Sequence, residues 1–224
     1  MFKHQKINMK RLAYPIIAGA FVISSAFTTL RYGAKPAEKK ADWPEIIQTP
    51  GKWALDKTHS NVRFSVSHLV VSDVDGGFKS FDGGMTSTKP DFTDAAINFT
   101  VDVNSINTDN EMRDKHLQSD DFFNAAKFPQ IKFVSKSFQS LGGNKYKLTG
   151  DLTIRDVTKT VSFDVSYGGT VTSAAMGGTH AGFKAKATIN RFDYNLKWDK
   201  TTEAGGLVVG KDVEITLNID MKKI

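Results

Sequence analysis

The chain has no cysteine among its 224 residues. That absence removes disulfides, thiolate zinc sites, cysteine nucleophiles and a lipidated cysteine behind a leader. A domain without bridges must be held together by its own core. Phosphate-cradling signatures are missing as well: neither G-x-x-x-x-G-K-[ST] nor G-x-G-x-x-G occurs, which argues against nucleotide binding of the usual kinds. No G-x-S-x-G elbow is present to expose a serine nucleophile. His59, His68, His116 and His180 form no H-x-x-x-H or H-E-x-x-H pair, so no metal site is expected, and such scattered histidines meet only if the fold brings them together.

Acidic residues are absent from the first stretch of the chain, which carries Lys3, Lys6, Lys10 and Arg11 before the uncharged run "LAYPIIAGAFVISSAFTTL". This is the pattern of an export leader, and Ser24, Ser25 and Ala26 give the small residues needed for cleavage after Ala26. Met9 offers a second start for the same leader, and an uncleaved anchor is the alternative reading of the run. The whole chain is formally +6, with 30 basic and 24 acidic residues. Removing the leader takes four basic residues with it and leaves +2, so the basicity is mostly that of the leader, and nucleic acid is not expected as a partner. Residues 27–50 follow as a proline- and charge-bearing linker with no sustained period. One folded domain, 51–224, remains, in a periplasmic or secreted protein.

Inside that domain the pattern is period-2 alternation. Val62, Phe64 and Val66 share one face of a strand, and the scheme recurs at Ile97–Val103, Tyr146–Ile154, Val161–Tyr167, Phe183–Ile189 and Val213–Met221. Ile131 with Phe133, and the glycine-rich run through Phe78 and Phe81, bring the count to about eight strands. Twelve of the 18 glycines stand in Gly-Gly pairs, which suit hairpin turns, bulges or strand bends. Short antiparallel strands with one apolar face must pack on a second sheet or close on themselves. The helix candidate is Thr108–Ser119, with Thr108 and Glu111 at capping-box spacing and Met112, His116 and Leu117 on one face, placed to lid or plug one end.

Phenylalanine, at 16 against 3 tryptophans and 5 tyrosines, marks a fully apolar interior. An eight-stranded barrel can fill that interior with side chains or hold one small apolar ligand, and a binary pattern does not separate the two. On the pattern alone, the filled core is the default.

The blocks "DKTHSNVRFSVSHLVVSDVDGGFKSFDG", "INTDNEMRDKHLQSDDFF", "FPQIKFVS", "GDLTIRDVTKTVSFDV" and "GFKAKATINRFDYNL", in their order and spacing, resemble the YceI-like lipid-binding family from about Trp53 to the C-terminus. The resemblance implies an all-β fold, an extended eight-stranded antiparallel lipocalin-like β-barrel with one or two short helices. It implies a tunnel holding a long isoprenoid or similar amphiphile, no other cofactor, no catalytic residues, transient membrane contact and a homodimer. On that basis Phe64, Val66, Ile97, Phe99, Phe133, Leu148, Phe163, Phe183 and Trp198 are expected to line the tunnel, with Leu117, Phe122 and Phe123 closing it. Two departures from the family pattern, Asp156 and Asn195 where glycine is usual, concern turns that both residue types tolerate. Two rivals stand beside this reading: an enzyme using His116, Asp114 and Asp120, with His116 and Asp120 paired along the helix, and a module tethered to a membrane partner by residues 31–50.

Overall fold

The structure is a computed structural model that describes residues 51–201 and 207–224; the expected leader and linker lie outside the described residues. Eleven strands follow in order: β1 Gly51–Leu55, β2 Asn61–His68, β3 Ser72–Phe78, β4 Phe81–Ser87, β5 Ala96–Asp102, β6 Ile106–Asn107, β7 Gln130–Gly142, β8 Lys145–Ile154, β9 Val157–Ser173, β10 Gly178–Asn190 and β11 Val209–Lys223. All neighbours pair antiparallel, and β1 pairs with both β4 and β11, which closes the sheet.

The eleven segments make eight staves. The lower part of β11 pairs with β1 at Met221↔Leu55 and its upper part with β2 at Asn218↔Asn61, so β1 and β2 form one broken strand. β3 with β4, and β5 with β6, are broken in the same way, because β2 pairs with β3 and β1 with β4. The result is the expected eight-stranded antiparallel barrel, in which each stave neighbours the next along the chain.

One end is closed by residues 88–95, between β4 and β5. Phe92 is 0% exposed and sits edge-on to Trp53, Tyr167 and Phe183 at 5.6, 5.7 and 5.6 Å between ring centroids. Its backbone is left-handed, φ 58°, a conformation that costs ~1–2 kcal/mol for a residue with a Cβ and persists because its surroundings over-determine it. Asp94 is the organiser: its carboxylate accepts from the hydroxyls of Ser87 and Thr88 and from the amides of Thr88 and Lys89. Those hydrogen bonds, that of Ser87 foremost, hold the Asp94 carboxyl well below the usual carboxylate range. Tyr146 Oη donates to the Asp91 carbonyl at 3.1 Å and fastens the loop to β8. The plug at this end is therefore a strand-connecting loop, and the helix expected to lid or plug an end lies elsewhere.

The helix, α1 Glu111–Gln118, has no buried residue and lies at the opposite rim. Its cap differs from the expected Thr108. Asn110 Oδ1 accepts from Arg113 N at 3.0 Å, while Thr108 donates its amide and hydroxyl to Asp114 Oδ1 at 2.9 and 2.6 Å. The reason is local: Asp109 is left-handed, φ 57°, so the chain turns after Thr108, and that residue is buried as a fastening point. Met112 is 81% exposed, so it does not join His116 and Leu117 on an inner face.

Candidate functional site

Along β11, Ile215, Leu217 and Ile219 point into the barrel yet are only half-buried, whereas Met221 near the plug is buried. Phe64, Phe78, Ile97, Phe99, Ile131 and Phe183 show the same half-burial. Inward side chains that retain exposed surface enclose unfilled space. That space is a cavity of about 160 Å³, roughly ten times what one water needs, and an apolar void of that kind stays dry and takes apolar guests. The charged residues that reach its lining, Arg63 and Lys132, are exposed, outward-pointing positions. Among the described residues, nothing ionised is aimed inward to anchor a polar head.

The void is built by pairing phenylalanine with glycine. Phe64 stands directly opposite Gly76, and Phe99 opposite Gly83. A Cβ at Gly76 would lie 2.9 Å from Phe64 Cε1, one at Gly83 2.6 Å from Phe99 Cδ2, and one at Gly150 2.8 Å from Phe133 Cε2. The rings therefore lie flat against the sheet in space that any other residue would occupy. Three large rings are thus accommodated along the wall with room left between them.

Of the residues expected to line the tunnel, Phe64, Ile97, Phe99, Phe133, Leu148, Phe163 and Phe183 surround this cavity. Val66 does not: it lies farther toward the rim, opposite Val74 and Val213. Trp198 does not line it either, because it belongs to the rim, tilted against Phe122 at 5.4 Å and edge-on to His116 at 5.4 Å. Phe122 is buried in that same cluster. Phe123 turns toward the cavity, 6.2 Å from Phe78, which itself packs on Phe64 at 5.9 Å. Leu117 is half-buried, and its carbonyl accepts the Phe123 amide at 3.0 Å.

Several wall residues were not expected. Ile215, Leu217, Ile219, Leu152 and Ala185 stand on the alternating faces and could have been included by parity. Phe138 could not, because a bulge between Ser135 and Ser137 flips the parity of β7 and turns an even-numbered residue inward after Ile131 and Phe133.

Two arginines fix the rim. Arg155 Nη1 donates to the carbonyls of Phe122 and Asn195 at 2.9 and 3.0 Å, joining the segment after α1 to the turn before Trp198. Arg191, 3% exposed, donates to the carbonyls of Leu196, Trp198, Val209 and Gly210 at 2.6 to 3.0 Å. Burial lowers its pKa, and burial of Tyr194 beside it in the chain pushes that phenol up to about 12. Asn195 takes the left-handed angle expected where glycine is usual, φ 61°; at the other departure the left-handed residue is Arg155, φ 54°, and not Asp156.

The residues of the enzyme reading do not converge. His116 Nε2 pairs with Asp121 at 2.9 Å instead of Asp120, because the helix ends at Gln118 and Asp120 no longer follows its period. Asp120 faces Asn124 and Arg155, and Asp114 is committed to Thr108.

A model of the YceI-like domain matches residues 53–221. UPF0312 protein SAS2572 of Staphylococcus aureus is 38% identical over 162 residues, covering 72% of this chain and 92% of that protein. Among solved structures, BcnA of Burkholderia cenocepacia superposes with a TM-score of 0.63 at 25% identity, over 74% of this chain and 98% of that one. The Campylobacter jejuni YceI protein gives 0.61 at 29% identity, over 70% and 90%. A polyisoprenoid binding domain from Saccharophagus degradans shares the fold, with a TM-score of 0.57 at 16% identity over 79% and 100%. With its barrel, its phenylalanine-lined interior and these likenesses in agreement, the chain belongs to the YceI-like family.

Proposed function

We propose that the protein is a carrier that holds one long apolar chain, an isoprenoid or similar amphiphile, in the barrel cavity. The observation that carries this reading is an interior walled by phenylalanine and aliphatic side chains, with no ionised group aimed inward among the described residues, around an unfilled space of about 160 Å³ that seats a segment of such a chain. Such a wall selects by length and bend, and each methylene buried contributes ~0.8 kcal/mol, so a prenyl tail needs no charged anchor. The binding named for the Saccharophagus degradans domain supports the same ligand class. A binder is preferred to an acid–base enzyme because His116, Asp114 and Asp120 each have a different structural partner.

The leader at residues 1–26 supports a periplasmic or secreted location, where a carrier would move, store or shield such a lipid. Val70 and Val71, 81% and 84% exposed at the turn between β2 and β3, lie at the rim end, where they suit transient contact with a membrane during loading.

Titration with a fluorescent prenol tests the reading. Saturable one-to-one uptake is expected, weakened at least tenfold by Ala185→Phe, which places a ring in the cavity. Uptake unchanged by that substitution would show that the cavity is not the site.

A further inference from the structure

On the outer surface, away from the cavity, three residues distant in sequence meet. Asp56 lies in the kink between β1 and β2, His180 on β10 and Asp220 on β11, and one potential ligand atom from each lies within 4.8 Å of the others. The backbone makes this a fixed arrangement. Asp56 N donates to the Asp220 carbonyl at 2.8 Å, and Asp220 N donates to Ser60 Oγ at 2.9 Å, so the kink is clamped to β11.

His180 is 4% exposed, and both its ring nitrogens face acceptors. Nε2 meets the Met176 carbonyl at 3.1 Å and Nδ1 meets Asp220 Oδ1 at 2.8 Å. A neutral imidazole has one donor and one acceptor nitrogen. Nδ1 thus faces one carboxylate with a second beside it, and a neutral ring can donate either there or to Met176 but not to both. With Nε2–H donated to Met176, Nδ1 is left as a ligand atom beside the two carboxylates. Among the described residues, the ion-pair partners of Asp56 and Asp220 are histidines, His59 and His180, with no lysine or arginine, so a divalent ion can take the place of a proton between His180 and Asp220 without displacing a permanent cation. A ring N–H donated to a backbone carbonyl is also how metal-binding histidines are commonly oriented. The Asp56 carboxylate is fixed in orientation by Thr58, whose amide and hydroxyl donate to Oδ1 at 2.9 and 2.6 Å, and by His59 Nδ1, 2.9 Å from Oδ2.

We propose that Asp56, His180 and Asp220 form a site for a divalent first-row transition ion of the zinc class. One imidazole and two carboxylates suit such an ion, whereas Mg²⁺ and Ca²⁺ prefer oxygen ligands alone. Bond lengths of ~2.0–2.2 Å set tetrahedral ligand atoms roughly 3.3 Å apart, which small side-chain shifts from the present separations achieve. The ion ties β10, β11 and the kink between β1 and β2 together. Its role is to brace the barrel wall independently of the lipid cavity.

The test uses the mature chain stripped of metal with a chelator, then titrated with Zn²⁺, and separately with Co²⁺ followed by visible absorption. Expected are one equivalent of saturable Zn²⁺, a Co²⁺ band at the same stoichiometry, and a Tm rise of roughly 5–10 °C at a hundredfold excess over Kd. His180→Gln and Asp56→Asn should each abolish all three. Asp56 is half-buried and lies outside the hydrophobic core, so circular dichroism of Asp56→Asn should show an intact barrel and keep the result interpretable if His180→Gln unfolds. No saturation up to millimolar Zn²⁺, or binding that survives in folded Asp56→Asn, overturns the proposal.

Discussion

Gly76→Ala probes the device that keeps the cavity open. A Cβ at this position would stand 2.9 Å from Phe64 Cε1, closer still to Phe64 Cζ, and 2.8 Å from Thr108 Cγ2. Carbon–carbon contacts settle at ~3.5–4.0 Å, so the neighbours must give by roughly 1 Å. Thr108 is held by its hydrogen bonds to Asp114 and Arg113, whereas Phe64 has unfilled space beside it. The ring therefore moves into the cavity. Overpacking of this kind costs ~1–3 kcal/mol, read by urea unfolding. If the ring displaces two to three methylenes of the guest at ~0.8 kcal/mol each, affinity falls about 10- to 100-fold. Gly182→Ala is the control, because its Cβ meets nothing within 4 Å. Fluorescent-prenol titration of both folded variants decides the matter: Gly76→Ala binding as tightly as the parent would refute the flat-ring construction of the site.

Four further outcomes follow from the two ends of the barrel. Phe92→Ala should cost ~3–5 kcal/mol in urea unfolding and let the barrel accept a longer prenol, since it removes the plug. The Asp94 carboxyl is depressed by its bonds from Ser87 and Thr88, so its contribution is present above the unfolded value of ~3.9 and is lost as pH falls toward the folded one; near-ultraviolet circular dichroism should hold steady down to about pH 4 and change below it, and Asp94→Asn should show a loosened plug already at pH 7. Arg191→Lys cannot serve four carbonyls from two directions and should destabilise by about 2–4 kcal/mol, with faster prenol release as the Trp198 rim loosens. Val70→Asp with Val71→Asp should abolish co-sedimentation with vesicles while leaving prenol affinity unchanged, since both residues lie outside the cavity.

The strands and their apolar faces were legible because alternation is a local property: once Phe64, Ile97, Phe99 and Phe163 fall on one face, parity carries the wall along each strand, whereas closure into a barrel around an open interior was implied only by the family resemblance. Parity failed where the backbone departs from regularity, as at the bulge that turns Phe138 inward. The plug was hidden for a similar reason, since Phe92 stands alone among turn residues and gains its role only from contacts with Trp53, Tyr167 and Phe183, distant in sequence. At α1, capping-box spacing pointed to Thr108, but a left-handed Asp109 moved the helix start and gave the cap to Asn110. The cluster of Asp56, His180 and Asp220 has no spacing signature at all, because the kink between β1 and β2 and the pairing of β10 with β11 bring it together. The glycine–phenylalanine pairs left a trace in the sequence, glycine in inward slots, but pairing register was needed to show which ring each one accommodates.

Native mass spectrometry of protein purified from its host without added lipid or detergent is the most direct measurement of whether the cavity carries a guest. The account predicts a species heavier than the mature polypeptide by one apolar molecule, released on organic extraction and lost in Gly76→Ala and Ala185→Phe. A bare polypeptide mass, together with no saturable uptake of added prenol, would contradict it.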